Sequence, residues 1–558
     1  MVEIIATNII SPLGLTSHDN FLAVKAGKSA LARTKAIEGV PEEVTVSAFS
    51  NEDLQRILVP GFSKFESLAI RSIESALHQT DGSANLSKAV LILSTTKGDI
   101  DSINDNETYS GPADAAGRIA GYFHINSEPV IVCNACISGS SAQLLAKRLL
   151  ESGQYDLAIV CGADTASSFT TAGFLSFKAL SPCECRPFDM ERLGLNLGEA
   201  AATMILARPG SSTGNRWKIL SGVQTNDAYH LSAPIPDGEG VFRAIDSTLA
   251  GFDKDKLGCI NVHGTATMFN DQMESKAVEK AGLADVPATA LKGYYGHTLG
   301  AAGLLEAIIT MEAIEEGMIP ATRGFSEKGV SGRISISGEA RAARQKSFLK
   351  IISGFGGGNC AILYSALPSG QSDKRKAGKM EIIHSIRITP DTFITDGKAE
   401  EFGEARGKAL LAEIYHSHIS DYPKFHKMDT LAKLSLLGAE ILAKLAPGQE
   451  ISSAVIFNGT SSIVSDRKHI ATISAGDGFY PSPSVFLYTL PNIAVGELAI
   501  RLGIKGETDL YILQHKDWKM MENIIPLTVP EGATAIAGWV DCSSEDIFEA
   551  DLKLVKIS

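Results

Sequence analysis

Hydrophobic positions along this chain follow two alternating patterns. Short, continuous apolar runs bounded by turn residues give way to longer stretches in which apolar residues return at helical spacing. Residues 2–10 predict a strand, and 89–93, 129–133 and 157–161 predict buried strands. Residues 143–150 continue a helix, and 258–262 form another strand-like run. Strands alternating with helices over residues 1–366 predict an α/β fold with helix-covered sheets.

A stretch rich in Pro, Gly, Ser, Lys and Arg then breaks the pattern and predicts a solvated linker at 367–379. The block that follows, 380–558, echoes the first. Phe62-Ser-Lys-Phe-Glu-Ser-Leu-Ala69 is matched by Phe425-His-Lys-Met-Asp-Thr-Leu-Ala432. Residues 89–92 are matched by 454–457, 117–125 by 496–504, and more loosely 157–167 by 535–544. Their common order points to a duplication that copies only the front half of the first block.

Composition narrows the class. Apolar residues make up 44% of the 558, charged residues 21%, and there are 52 glycines, the profile of a soluble enzyme rich in tight turns. A formal net charge of −13 argues against nucleic acid as the main ligand. An acidic partner would need a local basic patch. The opening residues carry no basic leader, and no apolar run reaches the roughly 18 residues of a membrane span, so neither export nor a membrane is expected. Eight cysteines in such a chain predict reduced thiols in a cytoplasmic protein.

One of these thiols stands at a chemically useful place. Pro129-Val-Ile-Val-Cys-Asn-Ala-Cys136-Ile-Ser-Gly-Ser runs from a strand into a helix, with Cys136 at the junction. Unpaired N–H groups and the positive end of the helix dipole favour thiolate over thiol there. Ser138, Gly139 and Ser140 leave room for substrate and for close helix packing. Cys133 and Cys136 also form a C-x-x-C, and Cys183 and Cys185 a C-x-C. The first lies in an apolar junction and the second in another loop, so no metal or redox site is expected.

Two histidines occupy similar junctions. His263 follows the run at 258–262 in Val262-His-Gly-Thr-Ala-Thr267, at a strand end where α/β folds build their sites. His297 lies in Lys292-Gly-Tyr-Tyr-Gly-His297-Thr-Leu-Gly, ahead of an apolar helix carrying Glu306. Ser353-Gly-Phe-Gly-Gly-Gly-Asn359 exposes backbone N–H groups in a turn, the device that holds an oxyanion.

Together these segments resemble the β-ketoacyl-acyl carrier protein synthases of the thiolase superfamily. The resemblance covers roughly residues 1–366 in order. It includes Asn8-Ile-Ile-Ser-Pro-Leu-Gly14, and Arg186-Pro-Phe-Asp189 followed by Gly194 and Gly198-Glu199. It implies a thiolase-like fold, two duplicated α/β halves in five layers (about 1–207 and 216–366), in a homodimer. Residues 380–558 would add a further half-thiolase-like α/β domain.

Carried over by motif, the resemblance makes Cys136 the acyl acceptor and His263 and His297 its partners in decarboxylating a malonyl thioester. Lys292 and Glu306 match a supporting pair, and the N–H groups of Cys136 and Phe355 an oxyanion hole. Phe355 also matches a gate, and Thr265 and Thr267 match holders of a phosphopantetheine arm. The implied partner is acyl carrier protein, which brings that arm, so the chain needs no cofactor of its own.

A thiolase would need a second cysteine at 353–358, and Cys360 lies beyond that turn. Initiating synthases carry Asn where His297 stands. Chain-length-factor subunits resemble synthases without the cysteine. Lys64 stands where relatives show a denser basic cluster, which leaves the docking face open. In the second block the nucleophile's equivalent falls near Gln514-His515-Lys516, so that block is expected to be non-catalytic.

Overall fold

The structure is a computed structural model describing residues 1–558 except 36, 38, 81, 83, 104–110, 210–215, 368–377 and 474–478. Most of the expected linker, 367–379, therefore lies outside the described residues.

Three sheets share one strand order. The first holds β1 (Val2–Ile10), β2 (Ala89–Ser94), β3 (Val130–Val132), β4 (Leu157–Asp164) and β5 (Ala200–Ala207). They lie as β1-β5-β4-β2-β3, with the two pairs at the β1 side antiparallel and the other two parallel. The second holds β6 (Lys218–Asn226), β7 (Cys259–Asn261), β8 (Pro287–Thr289), β9 (Ser335–Ile336), β10 (Ser347–Ser353) and β11 (Gly358–Ser365). Its order, β6-β11-β10-β7-β8, repeats the first in direction and adds β9 at the edge. The third holds β12 (Met380–Ile388), β13 (Ser453–Asn458), β14 (Thr508–Ile512), β15 (Thr534–Cys542) and β16 (Phe548–Ile557), ordered β12-β16-β15-β13-β14 in the same directions.

Helices separate and cover the sheets. α1 (Lys64–His78) and α2 (Pro112–Tyr122) bury Phe65, Leu68 and Ile119 against Leu91, Leu93 and Ile159 of the first sheet. α3 (Ser138–Ser152), α4 (Met268–Lys280) and α5 (Ala302–Glu315) follow. α3 and α5 are buried on nearly every side, because they lie between the first two sheets and share one core with both. α4 covers the outer face of the second sheet. The result is five layers, αβαβα, in a thiolase-like α/β fold.

The first two turns of α3 and α5 nearly touch. A Cβ on Gly303 would stand 2.6 Å from Ser140 Oγ and 2.7 Å from Ser140 N. The small residues after Cys136 serve this close crossing, which fixes the turn carrying the thiol.

The third sheet carries α6 (Thr430–Leu445), α7 (Ile493–Leu502) and α8 (Trp518–Thr528). α6 begins one turn later than its echo of α1 predicts. A 3-10 turn, Pro423–Lys427, replaces the first turn, and Asp429 caps the helix by accepting from Ala432 N–H at 2.8 Å. α8 lies where α3 lies in the first sheet, but it exposes Lys519, Glu522 and Asn523 and buries only one stripe. A polar outer face is what the helix needs with no second sheet above it.

β14 pairs antiparallel with β3, Tyr511 opposite Val132 and Ile512 opposite Ile131, joining the first and third sheets into one. The register defines a local twofold axis relating Ile131 to Tyr511 and Val132 to Ile512. Counting on, Cys136 corresponds to Lys516, whose Nζ pairs with Glu549 at 3.0 Å and Asp551 at 2.8 Å. A shared clasp marks the duplication: Thr95 Oγ1 donates to Asp164 at 2.7 Å, and Thr460 Oγ1 to Asp541 at 2.8 Å.

Candidate active site

The turn after β3 presents Cys136 from a strained conformation. Ala135 has φ 48°, a left-handed value that a residue with a Cβ rarely adopts. Ser138 Oγ spans the turn, accepting from Asn134 N–H at 2.8 Å and donating to Ala135 O at 2.6 Å. The backbone N–H groups of Cys136 and Phe355 help to lower the Cys136 thiol, and their two turns abut, a Cβ on Gly354 standing 3.2 Å from Cys136 N. The sequence reading placed these two donors together, and the fold does so by laying the turn at Gly354 against the turn at Ala135.

Burial works against the expected bias towards thiolate. It pushes the Cys136 thiol up to about 11, more than Lys292 and the two N–H groups pull it down. The thiol stands at the floor of a cavity, out of bulk water.

His263, His297 and Cys136 converge. One nitrogen of each ring and the Cys136 Sγ lie within 4.8 Å of one another. The rings meet edge to face, centroids 5.1 Å apart. Hydrogen bonds fix both tautomers. Lys292 Nζ, a donor only, stands 3.0 Å from His263 Nδ1. Leu299 N–H donates to His297 Nδ1 at 3.1 Å. Each proton therefore sits on Nε2, and the buried His297 Nε2 has no partner among the described residues. Burial, then the charge of Lys292, lowers both imidazoles well below their ordinary value, so both are neutral donors.

Lys292 also donates to His263 O at 2.7 Å and to Glu306 at 2.7 Å. Glu306 accepts from Lys350 Nζ at 2.5 Å through its other oxygen. Burial alone would raise Glu306, but its two lysines outweigh that and hold it below the usual carboxylate range.

Sequence reasoning missed Lys350. Its signal was a single lysine inside the apolar run of β10. It also missed Glu274, which accepts from His263 N–H at 2.5 Å and Gly264 N–H at 2.9 Å. Burial pushes Glu274 up to about 7.

A cavity of about 330 Å³ opens above these groups, lined by Cys136, His263, His297, Thr265, Thr267 and Phe355 among others. Thr265 Oγ1 and Thr267 Oγ1 are 2.8 Å apart on its wall. Phe355 packs on Phe174 and Phe177, centroids 6.2 and 5.6 Å away, and these rings meet Phe486 of the third block. Lys64, considered for docking, pairs instead with buried Glu199 at 2.6 Å. Cys133 is buried with its thiol on Thr96 O, and Cys185 has its thiol on Lys292 O.

The third block reaches this site. Asn134 Nδ2 donates to Asp509 at 2.6 Å, and Leu510 N–H donates to Asn134 Oδ1 at 2.8 Å. Asn492 Nδ2 donates to Phe355 O at 2.8 Å.

Comparison with known proteins agrees with this geometry. Residues 76–210 match the N-terminal domain and residues 219–326 the C-terminal domain of beta-ketoacyl synthase. Over residues 76–326 the chain is therefore similar to the β-ketoacyl synthases. It is 34% identical over 248 residues to 3-oxoacyl-[acyl-carrier-protein] synthase 2 of Synechocystis sp., covering 41% of this chain and 59% of that protein. The chain spans less than two thirds of the length of the first curated synthases it matches. A ketosynthase of Xenorhabdus doucetiae, solved with its chain length factor, superposes with a TM-score of 0.58 at 26% identity, covering 65% of this chain and 97% of that one. A further β-ketoacyl synthase likeness spans the third block as well. The PfaC keto synthase-chain length factor structure covers 99% of this chain and 78% of its own, with a TM-score of 0.77 at 14% identity, a likeness of fold.

Proposed function

We propose that this chain is a β-ketoacyl-acyl carrier protein synthase, an acyltransferase that condenses an acyl group on Cys136 with a malonyl thioester. The observation that carries the reading is the meeting of a thiol, two neutral Nε2–H donors and two backbone N–H donors in one cavity.

The Cys136 sulfur attacks the acyl thioester carbonyl, and the carrier leaves as a thiol with the proton that Cys136 gives up. The malonyl thioester then loses carbon dioxide. The electron pair released forms an enolate, whose oxygen accepts from His263 and His297. No strong base is required, which suits two imidazoles held neutral. The enolate carbon attacks the acyl-cysteine, and the tetrahedral oxygen accepts from the N–H groups of Cys136 and Phe355. Its collapse frees Cys136 and the β-ketoacyl thioester.

In this reading acyl carrier protein is the partner, and Thr265 and Thr267 hold its phosphopantetheine arm. The protein acts in the cytoplasm, in fatty acid or polyketide-like synthesis, and needs no cofactor or metal of its own. Residues 380–558 are a non-catalytic, chain-length-factor-like half. Because β14 already occupies the edge of β3, that edge is closed to a second copy of the chain.

The test is carbon dioxide release and acyl-enzyme formation with acyl- and malonyl-carrier protein, for wild type and Cys136→Ala. Adduct and condensation in wild type, both lost in the variant, support the synthase. Equal behaviour of the two favours a non-catalytic chain-length-factor role.

A further inference from the structure

The two backbone donors that meet Cys136 are each gripped from the third block. The Cys136 donor follows the strained turn at Ala135. A left-handed residue with a Cβ persists only where its surroundings hold it. Part of that hold is intrinsic, through Ser138. The rest comes from residues 509–511: Tyr511 opposite Val132, Cys133 N–H on Leu510 O at 3.2 Å, and the two bonds that fix the Asn134 side chain. The Phe355 donor lies in a glycine turn. There Asn492 holds Phe355 O, and α7 packs flush on Gly356, so that a Cβ on Gly496 would stand 2.9 Å from Gly356 Cα.

Both grips are costly in themselves. Asn492 is the N-cap of α7, where its side chain would ordinarily accept from the first turn of its own helix; it makes no such bond. Its Nδ2 is spent on Phe355 O, and among the described residues its buried Oδ1 finds no partner. Asp509 is a fully buried carboxylate in a strand, raised by burial and by neighbouring Glu507. One oxygen takes Asn134 Nδ2 and the other takes Tyr511 O–H at 2.9 Å. Two unfavourable polar commitments on one block, each aimed at a different half of the same donor pair, are hard to account for by packing alone.

We propose that Asn492 and Asp509 are positioning residues that aim the N–H groups of Phe355 and Cys136, so that the Cys-less block completes the oxyanion site. The inference rests on the condensing reading only for which oxyanion is held. The aiming of the N–H groups at the thiol can be measured separately.

The test uses the full chain with Asn492→Leu, a similar volume without donor or acceptor. Removing the buried orphan Oδ1 leaves the melting temperature equal or higher. Acylation of Cys136 by an acyl thioester slows roughly 10- to 100-fold in kcat with KM changed less than about 3-fold, as expected when an oxyanion donor loses its aim. The pH midpoint for iodoacetamide alkylation of Cys136 rises, because the thiolate loses part of its Phe355 N–H. Asn492→Ala repeats the test should leucine disturb folding, and Asn492→Gln, which keeps a donor, recovers part of the rate. Unchanged acylation and an unchanged alkylation midpoint in a folded Asn492 variant would overturn the proposal. If wild type forms no acyl adduct, the condensing reading fails, and the alkylation midpoint alone decides whether the third block aims the donors.

Discussion

Lys292 Nζ stands 3.0 Å from Nδ1 of His263 and thereby decides which nitrogen of that ring carries the proton. A lysine can only donate, so the free Nε2–H is turned to the cavity, and the same positive charge helps keep the ring neutral. Replacing Lys292 by Met should remove both effects. Malonyl decarboxylation is expected to fall about 100- to 1,000-fold, the cost of losing one aligned donor. Acylation of Cys136, which does not use that donor and feels Lys292 only through its charge on the thiol, should fall less, by no more than about 10-fold. Equal losses in both steps would show that Lys292 merely holds the fold.

The acid limb of decarboxylation should lie below pH 6.5. Both imidazoles are lowered from that ordinary value, so the neutral donors persist as pH falls past the point where a free histidine protonates. A pH profile of carbon dioxide release in the Cys136→Ala protein reads this directly. A limb at or above pH 6.5 would contradict it. Conversely, alkylation of Cys136 in the wild type should keep rising with pH towards a midpoint near about 11.

Glu306 bridges two buried lysines. Lys350→Met leaves a buried carboxylate with one ammonium instead of two. We expect a loss of about 1.5–3 kcal/mol in stability, that of one charge-assisted hydrogen bond, seen as an earlier thermal transition. A melting curve matching wild type would mean that Lys292 alone neutralises the site.

Arg148 and Glu507 join the first and third blocks by a buried two-pronged pair at 2.5 and 2.6 Å. Glu507 also accepts from Gln224 Nε2 at 2.6 Å. Arg148→Met should expose the weakness of that joint. A cost of about 3–5 kcal/mol is expected, with faster proteolysis of residues 380–558 than of the rest.

Phe486 closes the aromatic cluster behind Phe355 by packing on Phe174, and Gly173 gives it room. Phe486→Ala should open space beyond the gate. The product distribution, read by mass spectrometry of carrier-bound chains, is expected to shift to longer acyl groups. An unchanged distribution would place the chain-length limit elsewhere.

Much of the site could be read from the chain because its residues sit at element junctions with strong local signals. Cys136, His263, His297 and the turn at Phe355 each follow a short apolar run, and glycines or threonines mark the bend. The buried strands were legible for the same reason, and so was the duplication, since the two blocks repeat one strand order and the shared Thr–Asp clasp although α6 starts a turn later.

The sequence by itself thus determined the α/β layering, the candidate thiol and imidazoles, and the absence of a cysteine near residues 514–516 of the second block. These rest on apolar periodicity and on residue type, which are local properties. Only the tertiary structure decided how deeply the thiol is buried, because burial depends on everything around Cys136. It alone brought Lys350 to Glu306, across 44 residues of chain, and Asn492 and Asp509 to Phe355 O and Asn134 of the first block. Such pairings follow from sheet register and helix docking, and no local pattern carries them.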